Sequence, residues 1–119
     1  MSSASKRKGD EWERTLCAYL RENGIDADRL RQTGTEDEGD LAIRMFPWTN
    51  SILVIEAKAE NRIDLPGYLR ELEIEKAHYI KHRTLDPTRV DGVVVIKRRM
   101  AQAGKAYVVT TVDDYFKIG

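Results

Sequence analysis

Ile52-Leu53-Val54-Ile55-Glu56-Ala57-Lys58 is an apolar run that ends in two opposite charges, and Gly39-Asp40 precedes it in the chain. In a strand, positions i and i+2 project to one face, so Glu56 and Lys58 emerge side by side with Ile52 and Val54 behind them. If Asp40 opens a neighbouring strand, its carboxylate can meet that of Glu56. Paired hard oxygen donors suit Mg2+, and the Lys58 ammonium would stand close by. Such a cluster can polarise a phosphate, lower the pKa of a bound water and offset charge in a phosphodiester transition state. The competing reading is a solvated Glu56–Lys58 ion pair on an edge strand, because a Glu-x-Lys triplet alone is a weak signal.

The elements that must position these groups are readable from periodicity. Trp12, Leu16, Tyr19 and Leu20 recur at helical spacing and Gly24 supplies a stop, which predicts a helix over 8–23. Glu13 borders its buried stripe and can face a sheet while still reaching a rim. Strands are expected over 25–31, 40–45 and 51–58, with the polar loop 32–39 between the first two and Phe46-Pro47-Trp48-Thr49-Asn50 turning into the third. So short a connection makes the second and third strands antiparallel and sets Asp40 beside the C-terminal end of the Glu56 strand. Asp64-Leu65-Pro66 starts a second helix, whose apolar side carries Leu69, Leu72, Tyr79 and Ile80. Val93-Val94-Val95-Ile96 suits a strand inside a sheet, and Tyr107-Val108-Val109-Thr110 its hairpin partner. Thr111-Val112-Asp113-Asp114 caps a short last helix through Phe116. Helix, three strands, helix, two strands and short helix describe an α/β layered domain on a mixed central β-sheet, flanked by helices.

With 119 residues and 41% apolar content, the chain is expected to be one domain, 1–119, with 1–7 a flexible basic tail. Twenty basic and twenty acidic side chains cancel, so contact with nucleic acid must come from local patches such as Lys6-Arg7-Lys8, Arg29 with Arg31, Lys81-His82-Arg83 with Arg89, or Lys97-Arg98-Arg99. Cys17, the single cysteine, excludes an internal disulfide and reads as a small core residue. His78 and His82 lie four apart but lack the carboxylate of a zincin motif, and read as a surface pair. No apolar run is long enough to span a bilayer, and the N-terminus lacks the apolar segment of a signal peptide. The expectation is a cytoplasmic protein without membrane contact.

Taken together, these residues resemble the PD-(D/E)XK nuclease superfamily and, within it, the archaeal-type Holliday junction resolvases. Lys8-Gly9-Asp10-Glu11-Trp12-Glu13-Arg14 looks like the family's opening Lys-Gly-x-x-x-Glu-Arg on the first helix. Arg31-Gln32-Thr33-Gly34-Thr35 resembles its Arg-Ser-x-Gly-Ser loop, Gly39-Asp40-Leu41-Ala42 its metal-binding aspartate, and Ile55-Glu56-Ala57-Lys58 the Glu-x-Lys half of the signature. The resemblance spans 8–58, and the order and spacing of the motifs are more specific than any one of them.

It implies a restriction-endonuclease-like fold and a Mg2+-dependent endonuclease, with Mn2+ able to substitute. Asp40, Glu56, Glu13 and the Ala57 backbone carbonyl would hold the metal, with Glu13, Asp40, Glu56 and Lys58 as the catalytic set. Lys58 would position or activate the attacking water, or stabilise the pentacovalent phosphate. Lys8, Arg14, Arg31 and Thr35 would contact DNA phosphates, reading branched shape rather than base sequence. Resolving a four-way junction takes paired incisions, which a two-fold homodimer supplies. The uncovered apolar side chains available for its interface are Phe46-Pro47-Trp48 and the stretch 108–115. One departure from the family pattern is the acidic run Glu36-Asp37-Glu38, where a phosphate-facing loop is expected to be basic or neutral. Another nuclease of the superfamily, of phage or mobile-element type acting on flaps, ends or duplex, and a non-catalytic DNA-binding module are the alternatives.

Overall fold

The computed structural model describes residues 3–32, 34–44 and 51–119. Its elements are helix α1 (Ser3–Glu22), strands β1 (Ala27–Arg29), β2 (Leu41–Ile43) and β3 (Ile52–Lys58), helix α2 (Leu65–Arg83), strands β4 (Val90–Ile96) and β5 (Tyr107–Val109), and helix α3 (Val112–Phe116). The strands form one sheet in the order β1-β2-β3-β4-β5. Only the central pair, β3 with β4, is parallel, because α2 carries the chain back between them. The other neighbours are antiparallel.

Alternation along the strands divides the core in two. Trp12, Leu16 and Cys17 of α1 pack on Ala27, Leu41, Ile43, Ile55 and Val95. Tyr68, Leu72 and Tyr79 of α2 pack on the opposite face, against Ala42, Val54, Val90, Val94 and Ile96. By the same parity, Asp40, Glu56 and Lys58 belong to the α2 face. Gly92 lets α2 lie close, since a Cβ there would meet Leu72 Cδ1 at 3.1 Å.

Four expectations change, the first being that the second strand, expected from 40, runs only Leu41–Ile43, with Asp40 in a bend just before it. Helix α1 begins at Ser3, ahead of the start expected at Lys8. The first strand shrinks to Ala27–Arg29, because Ile25 is used to close α1: its N–H donates to the Leu20 carbonyl at 3.0 Å. Glu56 is not on an edge: β3 is the middle strand and Glu56 is 4% exposed, which excludes the solvated ion-pair reading. The turn 46–50 lies outside the described residues. Among the described residues, no helix is long and apolar enough to cross a membrane.

Candidate active site

Strand β2 is shorter than β3, and the site occupies the resulting step. The Asp40 N–H donates to the Ile55 carbonyl (3.0 Å), and the Ala57 N–H donates to Asp40 Oδ2 (2.7 Å). A strand residue presents its N–H and C=O to the same side. The Lys58 carbonyl accepts from Lys97 on the β4 side (2.9 Å), so the Ala57 carbonyl is turned the other way, toward Asp40. Gly39 makes this approach possible. Its φ is +101°, and a Cβ there would stand 3.0 Å from Val54 Cγ1.

Glu56 and Lys58 leave β3 on the face covered by α2, whose first turns are fixed by Asp64 accepting from the Gly67 N–H at 3.1 Å. That helix contributes two carboxylates that were not anticipated. Glu71 Oε2 lies 2.6 Å from Lys58 Nζ, while Glu56 Oε2 lies 3.8 Å from it. Glu75 is 2% exposed, and its Oε1 has no hydrogen-bond partner. Oxygens of Glu56, Glu71 and Glu75 lie within 4.8 Å of one another. The Lys58 ammonium also sits 5.0 Å from the centre of the Tyr68 ring.

The electrostatics follow from packing carboxyls into a largely buried step with too few cations. Burial, then the hydrogen bond and charge of Glu56, pushes Asp40 up to about 9. Glu56 moves in the same direction through burial and the neighbouring Glu75. Burial raises Glu75 to about 8, with the charges of Asp37, Glu71 and Asp40 adding to it. Burial pulls the Lys58 ammonium down, but Glu71 and Glu56 outweigh it and hold the pKa above its usual value. A divalent cation fits this donor set: several hard oxygens lie close together, carboxyls outnumber cations and one buried carboxylate oxygen is unpartnered.

Glu13 reaches the site from the other layer. It lies on α1, with Arg29 Nη2 at 3.5 Å; the carboxylates that cluster with Glu56 are Glu71 and Glu75, so neither Glu13 nor Asp40 is among them. Burial and the Asp40 charge nevertheless raise it to about 7 against the pull of Arg29. Of the expected DNA contacts, Lys8 donates to Asn61 Oδ1 at 3.0 Å, just past the end of β3. Arg14 and Thr35 are exposed, and Arg31 opens onto a cleft shared with Arg21, Arg29, Arg44 and Arg83. His78 and His82, expected as a plain surface pair, are both engaged by the acidic run 36–38.

Glu75 had a signal in the sequence. Tyr68, Leu72, Glu75 and Tyr79 follow the helical stripe that packs on the sheet, so a carboxylate stands where an apolar residue belongs.

A family model of the archaeal Holliday junction resolvase (Hjc) matches residues 4–111. No individual curated protein matches the chain. The match runs from the first turn of α1 to the cap of α3 and so includes the carboxylate step and the helix that closes it. With this extent of match over a mixed five-stranded sheet, the chain belongs to the archaeal Holliday junction resolvase family of PD-(D/E)XK nucleases and is a metal-dependent endonuclease acting on four-way DNA junctions.

Proposed function

We propose that Asp40, Glu56 and Lys58 form the centre of a Mg2+-dependent phosphodiester hydrolase, and that two copies of the chain make the paired cuts of junction resolution. The observation that carries this reading is the Ala57 N–H bound to Asp40 at 2.7 Å, which fixes Asp40 against the strand end that presents Glu56 and Lys58. Asp40, Glu56 and the Ala57 carbonyl would hold the ion, Glu75 would offer its unpartnered oxygen, and Glu13 would complete the acidic rim from α1. When bound, the ion supplies a polarised water and neutralises charge on the phosphate. Lys58 stands beside Glu56, 3.8 Å away, and is held by Glu71: released from Glu71 by an incoming phosphate, its ammonium would hold the attacking water or a phosphate oxygen. Lys8, Arg14, Arg31 and Thr35 would dock the flanking backbone.

Lys58→Ala is accordingly expected to slow single-turnover junction cleavage about a hundredfold with little loss of affinity, since it is one phosphate contact among several. Parallel losses in rate and affinity would recast Lys58 as a docking residue.

The second copy is argued from exposed apolar surface. Val108, Val112, Tyr115, Phe116 and Ile118 are each more than 60% exposed. Beside them, a groove of about 660 Å³ is lined by Leu16, Tyr19, Leu53, Val93 and Val95, with Val108 and Tyr115 on its rim. The direct test is cleavage of a synthetic four-way junction against linear duplex and flapped DNA with Mg2+, alongside sedimentation of the protein. A dimer that cuts two opposed strands of the junction is expected. A protein that stays monomeric on junction DNA and makes single cuts would favour the flap- or end-cleaving reading.

A further inference from the structure

The acidic run matches the C-terminal turn of α2 almost residue for residue. Glu36 accepts from Lys81 Nζ at 3.0 and 3.1 Å, and its Oε1 lies 2.7 Å from His82 Nε2. Glu38 Oε2 is 2.6 Å from both His82 Nδ1 and Arg83 Nη1. The Asp37 carbonyl lies 2.7 Å from His78 Nδ1. Arg83 is held in place by the buried Tyr79 ring, 3.9 Å from its guanidinium carbon. On the far side of Glu38, a cleft of about 790 Å³ is lined by Arg21, Arg29, Arg31, Arg44 and Arg83, with Asp28 as the other carboxylate; Arg21 and Arg44 pair with Asp28, and Arg29 with Asp10 and Glu13.

We infer that the basic end of α2 and this arginine cleft form a second docking surface for the DNA sugar–phosphate backbone, on which Glu36 and Glu38 stand in for phosphates until a DNA arm displaces them. The inference deepens the junction-cleaving reading and rests on it. Carboxylate oxygens set against a guanidinium, an ammonium and an imidazole reproduce the contacts that phosphate oxygens make. The contacts of Glu36 with Lys81 and His82 are exposed, so they are weak and screened by salt, whereas Glu38, 12% exposed, is the more sheltered of the two. A DNA backbone offers charge at many points and gains further from counterion release, so it can replace them. The arrangement also accounts for a nuclease without net positive charge: twenty acidic side chains match twenty basic ones, and on this face the cations are covered rather than absent. The loop continues from Arg31 and Thr35 at one end to Asp40 at the other, so its displacement by one DNA arm would be felt in the cleavage site.

A strut that merely fixes Asp40 would give the opposite sign in the following test. In metal-free buffer, Glu36→Gln/Glu38→Gln is expected to bind a four-way junction about tenfold more tightly than wild type. The log–log dependence of affinity on salt should steepen by about one or two ions. Adding Lys81→Ala/Arg83→Ala to that variant should abolish the gain. If wild type binds and cuts the junction while the double glutamine variant, folded by circular dichroism, binds equally or more weakly, the inference is overturned and the parent reading stands. If wild type neither binds nor cuts it, both fail. Should the variant not fold, acetylation of Lys81 in the wild type decides: protection by junction DNA supports the docking surface, and unchanged labelling overturns it.

Discussion

Asp40→Asn is expected to lower Mg2+-dependent junction cleavage by at least about a hundredfold while leaving the fold and junction affinity close to wild type. Asparagine keeps a carbonyl oxygen for the Ala57 N–H that Asp40 now accepts at 2.7 Å, so the strand step can close as before. What disappears is the carboxylate charge that the proposed metal site would draw from Asp40. Glu56→Gln should behave alike, because its 4% exposure leaves no solvent to take over the role of the lost charge. Single-turnover cleavage, circular dichroism and a binding isotherm on the same preparations separate the cases. A variant that cuts at nearly the wild-type rate with unchanged Mg2+ dependence would remove its carboxylate from the reaction.

The convergence of Asp40 on the Glu56 strand was legible because its causes are local. Alternation places Glu56 and Lys58 on one face, and a short connection forces β2 and β3 antiparallel. Asp64 with Pro66, and Thr111 with Asp114, likewise announce helices through caps that act within a few residues. The partners of Lys58 and His82 were not legible, since they join elements distant in the sequence. Lys58 to Glu71 is a strand-to-helix contact across the layer, and His82 to Glu36 joins positions 46 apart. Neither leaves a periodic trace, because exposed charges satisfy a helix surface whether or not a partner is present. Glu75 differs. Its place in the stripe of Tyr68, Leu72 and Tyr79 conflicts with its charge, and such local conflicts concentrate where a protein does chemistry.

That conflict leads to the second large effect: without divalent metal, the protein should lose stability as pH rises from about 5 to about 9. Glu13, Glu75, Asp40 and Glu56 all have folded-state pKa values raised above the ordinary carboxylate value, to between about 7 and about 9. The folded protein therefore retains protons that the unfolded chain has released. By linkage, this stability is complete below about pH 4.5 and is lost as pH climbs through the folded values. His82, raised by Glu36 and Glu38, acts in the same direction above its ordinary value, but from an exposed position where the effect is small. Glu36 and Glu38 are lowered and act oppositely, losing their contribution only as pH falls below about 4.5. The carboxylates of the step thus govern the neutral range, and the expected loss is on the order of a few kcal/mol, or roughly 10 °C in Tm. Mg2+ should raise Tm more at about pH 8 than at about pH 5.5, because it binds the deprotonated site in the folded state alone. Glu75→Gln should raise the metal-free Tm at about pH 8 and flatten the pH slope, since an amide cannot become a buried anion beside Glu56. Thermal melts of both proteins across this range, with and without Mg2+, test all of these at once. A metal-free Tm that stays level or rises from about pH 5 to about pH 8 would mean that these carboxyls ionise freely and that the step is open to water.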